Sequence, residues 1–203
     1  DSIILPDTLS DAAKVAKNKN RDEGYLTDKY TFTGYAWFRR SCTVESDMTG
    51  LVSILTLERT RVSTLYIDGA EIGTCDSLCR SHRYDISSYM TAGTHEIVIR
   101  VANVGYKTGG GHMTSPDTQT NWLGIVGKMN IEIYPKSYIS DVRVIASADG
   151  SLSVRGTANG ADNAVVTATV TAPDGIRVLK ANIIADGDTF EAEFRLENAQ
   201  LWD

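Results

Sequence analysis

Hydrophobic and polar positions along this chain alternate in short runs separated by turn residues, the pattern of a β protein. Residues 30–44 are aromatic and β-branched, interrupted at Gly34. Residues 51–57 are almost wholly apolar, as a strand covered on both faces would be. Residues 62–67 run into Asp68-Gly69, a dipeptide suited to a two-residue hairpin because both positions tolerate positive φ. Residues 95–101 put Ile97, Ile99 and Val101 on one face, and residues 125–134 group Met129, Ile131 and Ile133. Ahead of these strands, residues 1–29 read as an irregular lead-in, with one short helical turn over 10–16 capped by Ser10 or Asp11.

Pro135 closes that block, and beyond it aromatics give way to Ala, Val, Thr and Asp. Five further strands are predicted, over 139–146, 152–157, 164–172, 177–184 and 190–196. The turns between them carry Asp149-Gly150, Asn159-Gly160, Asp174-Gly175 and Asp186-Gly187. Phe190, Ala192, Phe194 and Leu196 face one way while Glu191, Glu193 and Arg195 face the other, giving a sheet with one wet face. The expected organisation is two all-β units, residues 1–136 and 137–203, each a sandwich or barrel. An immunoglobulin-like sandwich takes about seven strands over about 100 residues. Only five are legible before Leu201-Trp202-Asp203, so the second sandwich is expected to lack its last strands.

Composition narrows the function. With 203 residues, 42% of them hydrophobic, the chain can build real cores, and its net charge of −6 argues against nucleic-acid or anionic-membrane partners. No apolar run is long enough to span a bilayer. Asp1-Ser2-Ile3 opens the chain with neither an initiator Met nor a signal segment, as at a processed end or a cut boundary. Cys42, Cys75 and Cys79 are odd in number and lack a zinc spacing, so they are expected to be ordinary reduced residues. Of His82, His95 and His112, His95 lies in an alternating strand and reads as structural. No Gly-x-Ser-x-Gly elbow and no His-Glu-x-x-His run is present. Gly109-Gly110-Gly111 lacks the Lys-Ser/Thr pair and the helix of a phosphate loop. Glycosidases need two carboxyls about 5–10 Å apart across a sugar, and the 26 acids here fall into no recognisable pair. No Asp-x-Asp-x-Asp run suggests calcium, and neither metal nor cofactor is expected.

The densest unusual stretch is residues 112–125, where His112, Asp117, Gln119, Asn121 and Trp122 share one long loop before a strand. Planar polar side chains can hydrogen-bond sugar hydroxyls, and an indole face can cover the C–H side of the ring. A purely structural alternative has Trp122 plugging the sandwich and the polar groups satisfying loop backbone.

Three segments carry a family resemblance. Tyr35-Ala36-Trp37-Phe38-Arg39-Arg40 resembles a "G-x-A-W-Y-R-R" strand. The run from Leu57 through Arg59-Thr60-Arg61 to Asp68-Gly69 resembles a core strand entering a "V-N-G" hairpin. Asn121-Trp122-Leu123-Gly124-Ile125-Val126-Gly127-Lys128 resembles an "N-Y-x-G-I-x-R" loop-to-strand motif. His82-x-Tyr84-Asp85-Ile86 and Gly93-x-His95 fit the intervening pattern. Together, over about residues 3–134, these resemble the N-terminal sugar-binding domain of glycoside hydrolase family 2, the β-galactosidase and β-glucuronidase family.

The resemblance implies a jelly-roll, galactose-binding-like first unit, then an immunoglobulin-like sandwich, then a catalytic barrel holding both glutamates of a retaining mechanism. The expected role is non-catalytic: supporting the barrel and lending the 112–122 loop to the rim of its pocket, with carbohydrate bound weakly in the full enzyme. Rim candidates are His112, Asp117, Thr118, Gln119, Asn121 and Trp122. Where the family carries an acid six positions before Gly124 this chain has Thr118, with Asp117 beside it, and Lys128 comes one place later than the motif's Arg. Trp37 and Trp122 are expected to be largely buried or to line a cleft. Arg59 and Arg61 are expected on one strand face, pairing with acids such as Glu58 or Asp76. An extracytoplasmic location, periplasmic or secreted in a bacterium, is expected. The competing readings are a stand-alone carbohydrate-binding module and a cell-surface interaction protein of tandem sandwiches.

Overall fold

A computed structural model describes residues 2–19, 28–107, 111–115, 119–176, 178–197 and 199. The chain divides into two compact units, residues 1–133 and 134–203. Both are built from antiparallel strands, as the alternation required.

The first unit holds two four-stranded sheets. One has the order β1 (Asp7–Thr8), β8 (Gly124–Tyr134), β3 (Val52–Thr60), β6 (His82–Asp85). The other has the order β2 (Tyr35–Val44), β7 (Gly93–Ala102), β4 (Val62–Ile67), β5 (Ala70–Cys75). Their inner faces share one core: Leu55, Leu57, Tyr84 and Ile125 from the first sheet meet Phe38, Leu65, Ile67, Ile99 and Val101 from the second. Leu57, Leu65, Ile67, Ile86, Val101 and Ile125 are at most 1% exposed, each contributing about 1.5–3 kcal/mol by burial. β3 is interior to its sheet and buried continuously from Ser53 to Leu57, which explains a run that is apolar except at Ser53 and Thr56. Asp68 and Gly69 both take positive φ and close the β4–β5 hairpin, with Ile67 opposite Ala70.

Three expectations change in this unit. The lead-in is not wholly irregular, because Asp7–Thr8 pairs with Ile125 and Gly124 at the sheet edge. The turn after it is capped by neither expected residue: the Thr8 hydroxyl accepts from the Asp11 N–H at 3.0 Å, and Ser10 donates to the Tyr30 carbonyl. Trp37 is 59% exposed, since the pleat of β2 turns Phe38 inward and Trp37 outward.

Gly124 and Gly127 are fixed by geometry. A Cβ on Gly124 would fall against the Asp7 carbonyl and 2.7 Å from Thr8 Cα. Gly127 has φ of 78° inside β8, a conformation that favours glycine, and the next N–H, from Lys128, donates to Glu58 Oε2 at 2.6 Å.

The second unit pairs β13 (Thr189–Arg195), β10 (Ser151–Asn159) and β9 (Tyr138–Ala146) in one sheet, and β11 (Val165–Thr171) with β12 (Val178–Ile184) in another. All five strands fall where the alternation placed them. Phe190, Ala192 and Phe194 are buried with Leu152, Val154 and Ala158, and Val166, Val170 and Ile183 pack against them. Glu191, Glu193 and Arg195 are exposed. On β9, Val142 and Val144 stand opposite Gly156 and Val154, on the core side, yet remain 52% and 59% exposed.

Gly124→Ala is expected to destabilise the first unit by about 2 kcal/mol or more, because only backbone could yield. Denaturant titration, with hydrogen exchange at the Leu9 and Thr8 amides, checks this.

Candidate functional site

The 112–122 loop is held from inside, and the anchor is Arg61. This residue sits where the chain leaves β3 in one sheet and enters β4 in the other. It is therefore not on a common strand face with Arg59: Arg59 is exposed, whereas Arg61 is 3% exposed. Nor does Arg61 pair with the expected acids. Its Nε donates to the Trp122 carbonyl at 3.2 Å and its Nη1 to the Met113 carbonyl at 3.1 Å. Its guanidinium lies 4.4 Å from the Trp122 ring centroid. Burial pushes its pKa down, while the hydrogen-bonded Tyr106 hydroxyl opposes that. Glu58 is occupied by the Lys128 N–H, and Asp76 by Lys107 at 2.6 Å.

From Tyr106 the network continues through the loop. The Tyr106 hydroxyl donates to Asn121 Oδ1 at 3.0 Å. Asn103, 2% exposed, donates from Nδ2 to the Asn121 carbonyl at 3.0 Å and the Phe32 carbonyl at 2.8 Å, and its Oδ1 accepts the Gly34 N–H at 2.9 Å. One buried amide thus ties together the start of β2, the end of β7 and the loop before β8. Thr60 adds a bond from its hydroxyl to the Gly124 carbonyl at 2.8 Å.

The candidate residues therefore divide. The Asn121 side chain faces inward and locks the loop. Trp122 is half-buried and lines a small hollow of about 80 Å³ with Tyr30, Phe32 and Ser115. His112 is exposed on a 3-10 turn, His112–Thr114, beside a broader open hollow of about 380 Å³ bordered by Asp76, Tyr106 and Met113. The Thr120 hydroxyl donates to the His112 carbonyl. Gln119 begins a second 3-10 turn, Gln119–Asn121. Asp117 and Thr118 lie outside the described residues.

The other histidines are structural. His82, 1% exposed, bonds Ser63 Oγ through Nδ1 at 2.6 Å and the Ser77 carbonyl through Nε2 at 2.7 Å. The Tyr84 hydroxyl donates to the Ser63 carbonyl at 2.9 Å and lies 2.7 Å from Ser63 Oγ. Ser63 is fully buried, so this Ser–His contact cannot meet a substrate; it joins β4 to β6 across the sandwich. Burial holds His82 below its ordinary pKa and pushes Tyr84 up to about 12. His95 is the opposite case: its Nδ1 meets Asp68 Oδ2 at 2.7 Å and its Nε2 the Thr91 carbonyl at 2.9 Å, and these bonds raise its pKa. Among the described residues no group of three His, Cys, Asp or Glu side chains is placed to hold a metal. No helix among them is long and apolar enough to cross a membrane.

Solved structures share this fold. A putative β-galactosidase from Bacteroides fragilis superposes with a TM-score of 0.71 at 15% identity, over 99% of this chain and 31% of that one. A Bifidobacterium dentium β-glucuronidase, solved with coumarin-3-O-glucuronide, gives 0.70 at 16% identity, over 99% and 37%. The Bacteroides uniformis β-glucuronidase gives 0.70 at 21% identity, over 100% and 25%. The fold is one found in family 2 glycosyl hydrolases. The chain spans about a quarter to a third of the length of the glycosidases it matches. No family model matches the sequence, and no curated protein does.

Two outcomes follow. Arg61→Lys keeps the charge but loses the planar fork, and is expected to cost about 2 kcal/mol or more. Hydrogen exchange should then accelerate at the amides of Met113, Thr114 and Leu123 and leave those of the second unit unchanged. In a titration followed by NMR, His95 should titrate above 6.5 and His82 below it. The raised His95 contributes stability that is complete below 6.5 and fades as pH rises through its folded value. The depressed His82 contributes stability that is complete above 6.5 and fades as pH falls through its own. His95→Gln should therefore flatten the alkaline side of the stability profile.

Proposed function

We propose that this chain is the non-catalytic front part of a retaining glycoside hydrolase acting on O-glycosidic bonds, of the β-galactosidase or β-glucuronidase kind. The reactive carboxylates belong to a barrel outside this sequence. The observation that carries the reading is the asymmetry of the structural match: essentially the whole chain is covered, while only 25% to 37% of each of the three glycosidases is. The half-exposed Val142 and Val144 on the core side of β9 support further strands completing the second sandwich.

In this reading the 112–122 loop borders the pocket of the complete enzyme. Its inward groups, Asn121 and the Trp122 carbonyl, set its shape, and its outward groups, His112 and Met113, meet what enters. Carbohydrate is the partner, engaged in the context of the barrel.

Purified chain is expected to release no nitrophenol above blank from p-nitrophenyl β-galactoside or β-glucuronide. Turnover that disappears on replacing an acid within these residues would refute the proposal. In the complete enzyme, His112→Ala is expected to raise KM about fivefold with kcat within about twofold, the signature of lost uniform binding. An unchanged KM removes His112 from the rim.

A further inference from the structure

His82 is buried, polar and titratable, and the proposed function makes no use of it. It is the first residue of β6, the four-residue strand at the edge of its sheet, where Leu57 of β3 stands opposite it. Between β5 and β6 the chain runs through residues 76–81, which form neither strand nor helix. In this segment the Ser77 carbonyl meets His82 Nε2 at 2.7 Å, and Asp76 meets Lys107 at 2.6 Å. Asp76, Leu78 and Cys79 line the open hollow of about 380 Å³ together with His112 and Met113.

The partners of the imidazole fix its protonation. A carbonyl only accepts, so Nε2 carries the proton and donates to Ser77. Nδ1 is then bare and accepts from the Ser63 hydroxyl at 2.6 Å. Tyr84 donates its own proton to the Ser63 carbonyl at 2.9 Å. A neutral imidazole therefore satisfies every one of these partners. A second proton, on Nδ1, needs Ser63 to turn its hydroxyl toward the Tyr84 oxygen, 2.7 Å away.

That reversal leaves the added charge without a carboxylate. From β4 the imidazole faces the Ser63 hydroxyl, and from β6 the Tyr84 phenol, with Cys75 of β5 beside it. Arg83, next on β6, is exposed and paired with Glu132. The acid in range, Asp76, is exposed and already engaged by Lys107, and Arg80 repels. Burial above all holds His82 below its ordinary pKa; Arg80 adds to that, while the Ser77 bond and Asp76 oppose it. A buried charge with no counter-charge is costly, and leaving the interior removes the cost.

We propose that His82 is an acid-released latch: on taking a second proton its imidazole leaves the core, frees residues 76–81 and opens the hollow beside the His112–Thr114 turn. The release is local, because His82 begins an edge strand and the segment before it has no ladder of its own. The sign follows from the lowered pKa: the latch is closed above 6.5 and opens as pH falls through the folded value. Nothing in the inference depends on what enters the hollow or on a catalytic barrel.

The test is amide hydrogen exchange on the full chain from about pH 8 to about pH 4.5, alongside NMR titration of the His82 ring. Exchange is read as protection factors, so that its intrinsic pH dependence is divided out. Protection of the β6 amides should fall about tenfold or more. Its midpoint should coincide with that of the ring, and the backbone resonances of residues 76–81 should shift over the same interval. The amides of Phe38 and Ile99, in the opposite sheet, should keep their protection. His82→Gln cannot take the proton and should show neither change. If that variant fails to fold, the coincidence of midpoints in the unsubstituted chain decides the question. The proposal is overturned if β6 stays protected throughout, whether or not the ring titrates. It is equally overturned if Phe38 and Ile99 lose protection together with β6, or if folded His82→Gln loses it as the unsubstituted chain does.

Discussion

A guanidinium whose hydrogen bonds run to carbonyls and a phenol, not to a carboxylate, occupies the point where the first unit changes sheets. Arg61 is buried there because β3 and β4 are consecutive strands in opposite layers, so the residue between them must pass through the edge of the sandwich. A buried charge is costly unless its donors are satisfied. Arg61 satisfies its donors by drawing in the Met113 and Trp122 carbonyls, Tyr106 and the face of Trp122. The long loop before β8 therefore takes its shape as the solution to a desolvation problem, and its position relative to the core follows from that.

This explains why the loop's polar residues do not all face the same way. Asn121 is in the loop but belongs to the interior network of Tyr106 and Asn103. Trp122 carries the Arg61 guanidinium over its ring and also lines the small hollow. Among the described residues of the loop, His112 and Met113 are exposed. A stretch rich in sugar-binding side-chain types thus contains two populations, one that fixes the loop and one that is displayed by it. Composition alone cannot separate them.

Most strands were legible because they have a wet and a dry side, and a period of two writes that difference directly into the order of residues. The five strands of the second unit and the Asp68-Gly69 hairpin are the clearest cases. β5 and β6 left weaker traces: Ala70–Cys75 mixes small and polar residues, and β6 is only four residues long, with its buried positions taken by His82 and Tyr84. The position of Arg61 was illegible for a different reason. Counting by twos puts it on the face of Arg59, but the count holds only within one strand, and the strand ends at Thr60.

Trp37 shows the same rule acting in reverse. The pleat places it outward beside Phe38 turned inward, against the expectation that it would be largely buried or line a cleft. Where size and register disagree, register wins, because moving a single residue to the other face would shift every residue of β2 with it. A large aromatic that stays on the wet face through that constraint is not stabilising the core. The core of the first unit closes without it, around Phe38, Leu65 and Ile99. Its environment of Tyr66, Arg100 and Tyr35 is assembled entirely from outward positions on three different strands. Those strands are held in register by the sandwich beneath them, so the spacing of the rings is set by the fold and not by their own weak contacts.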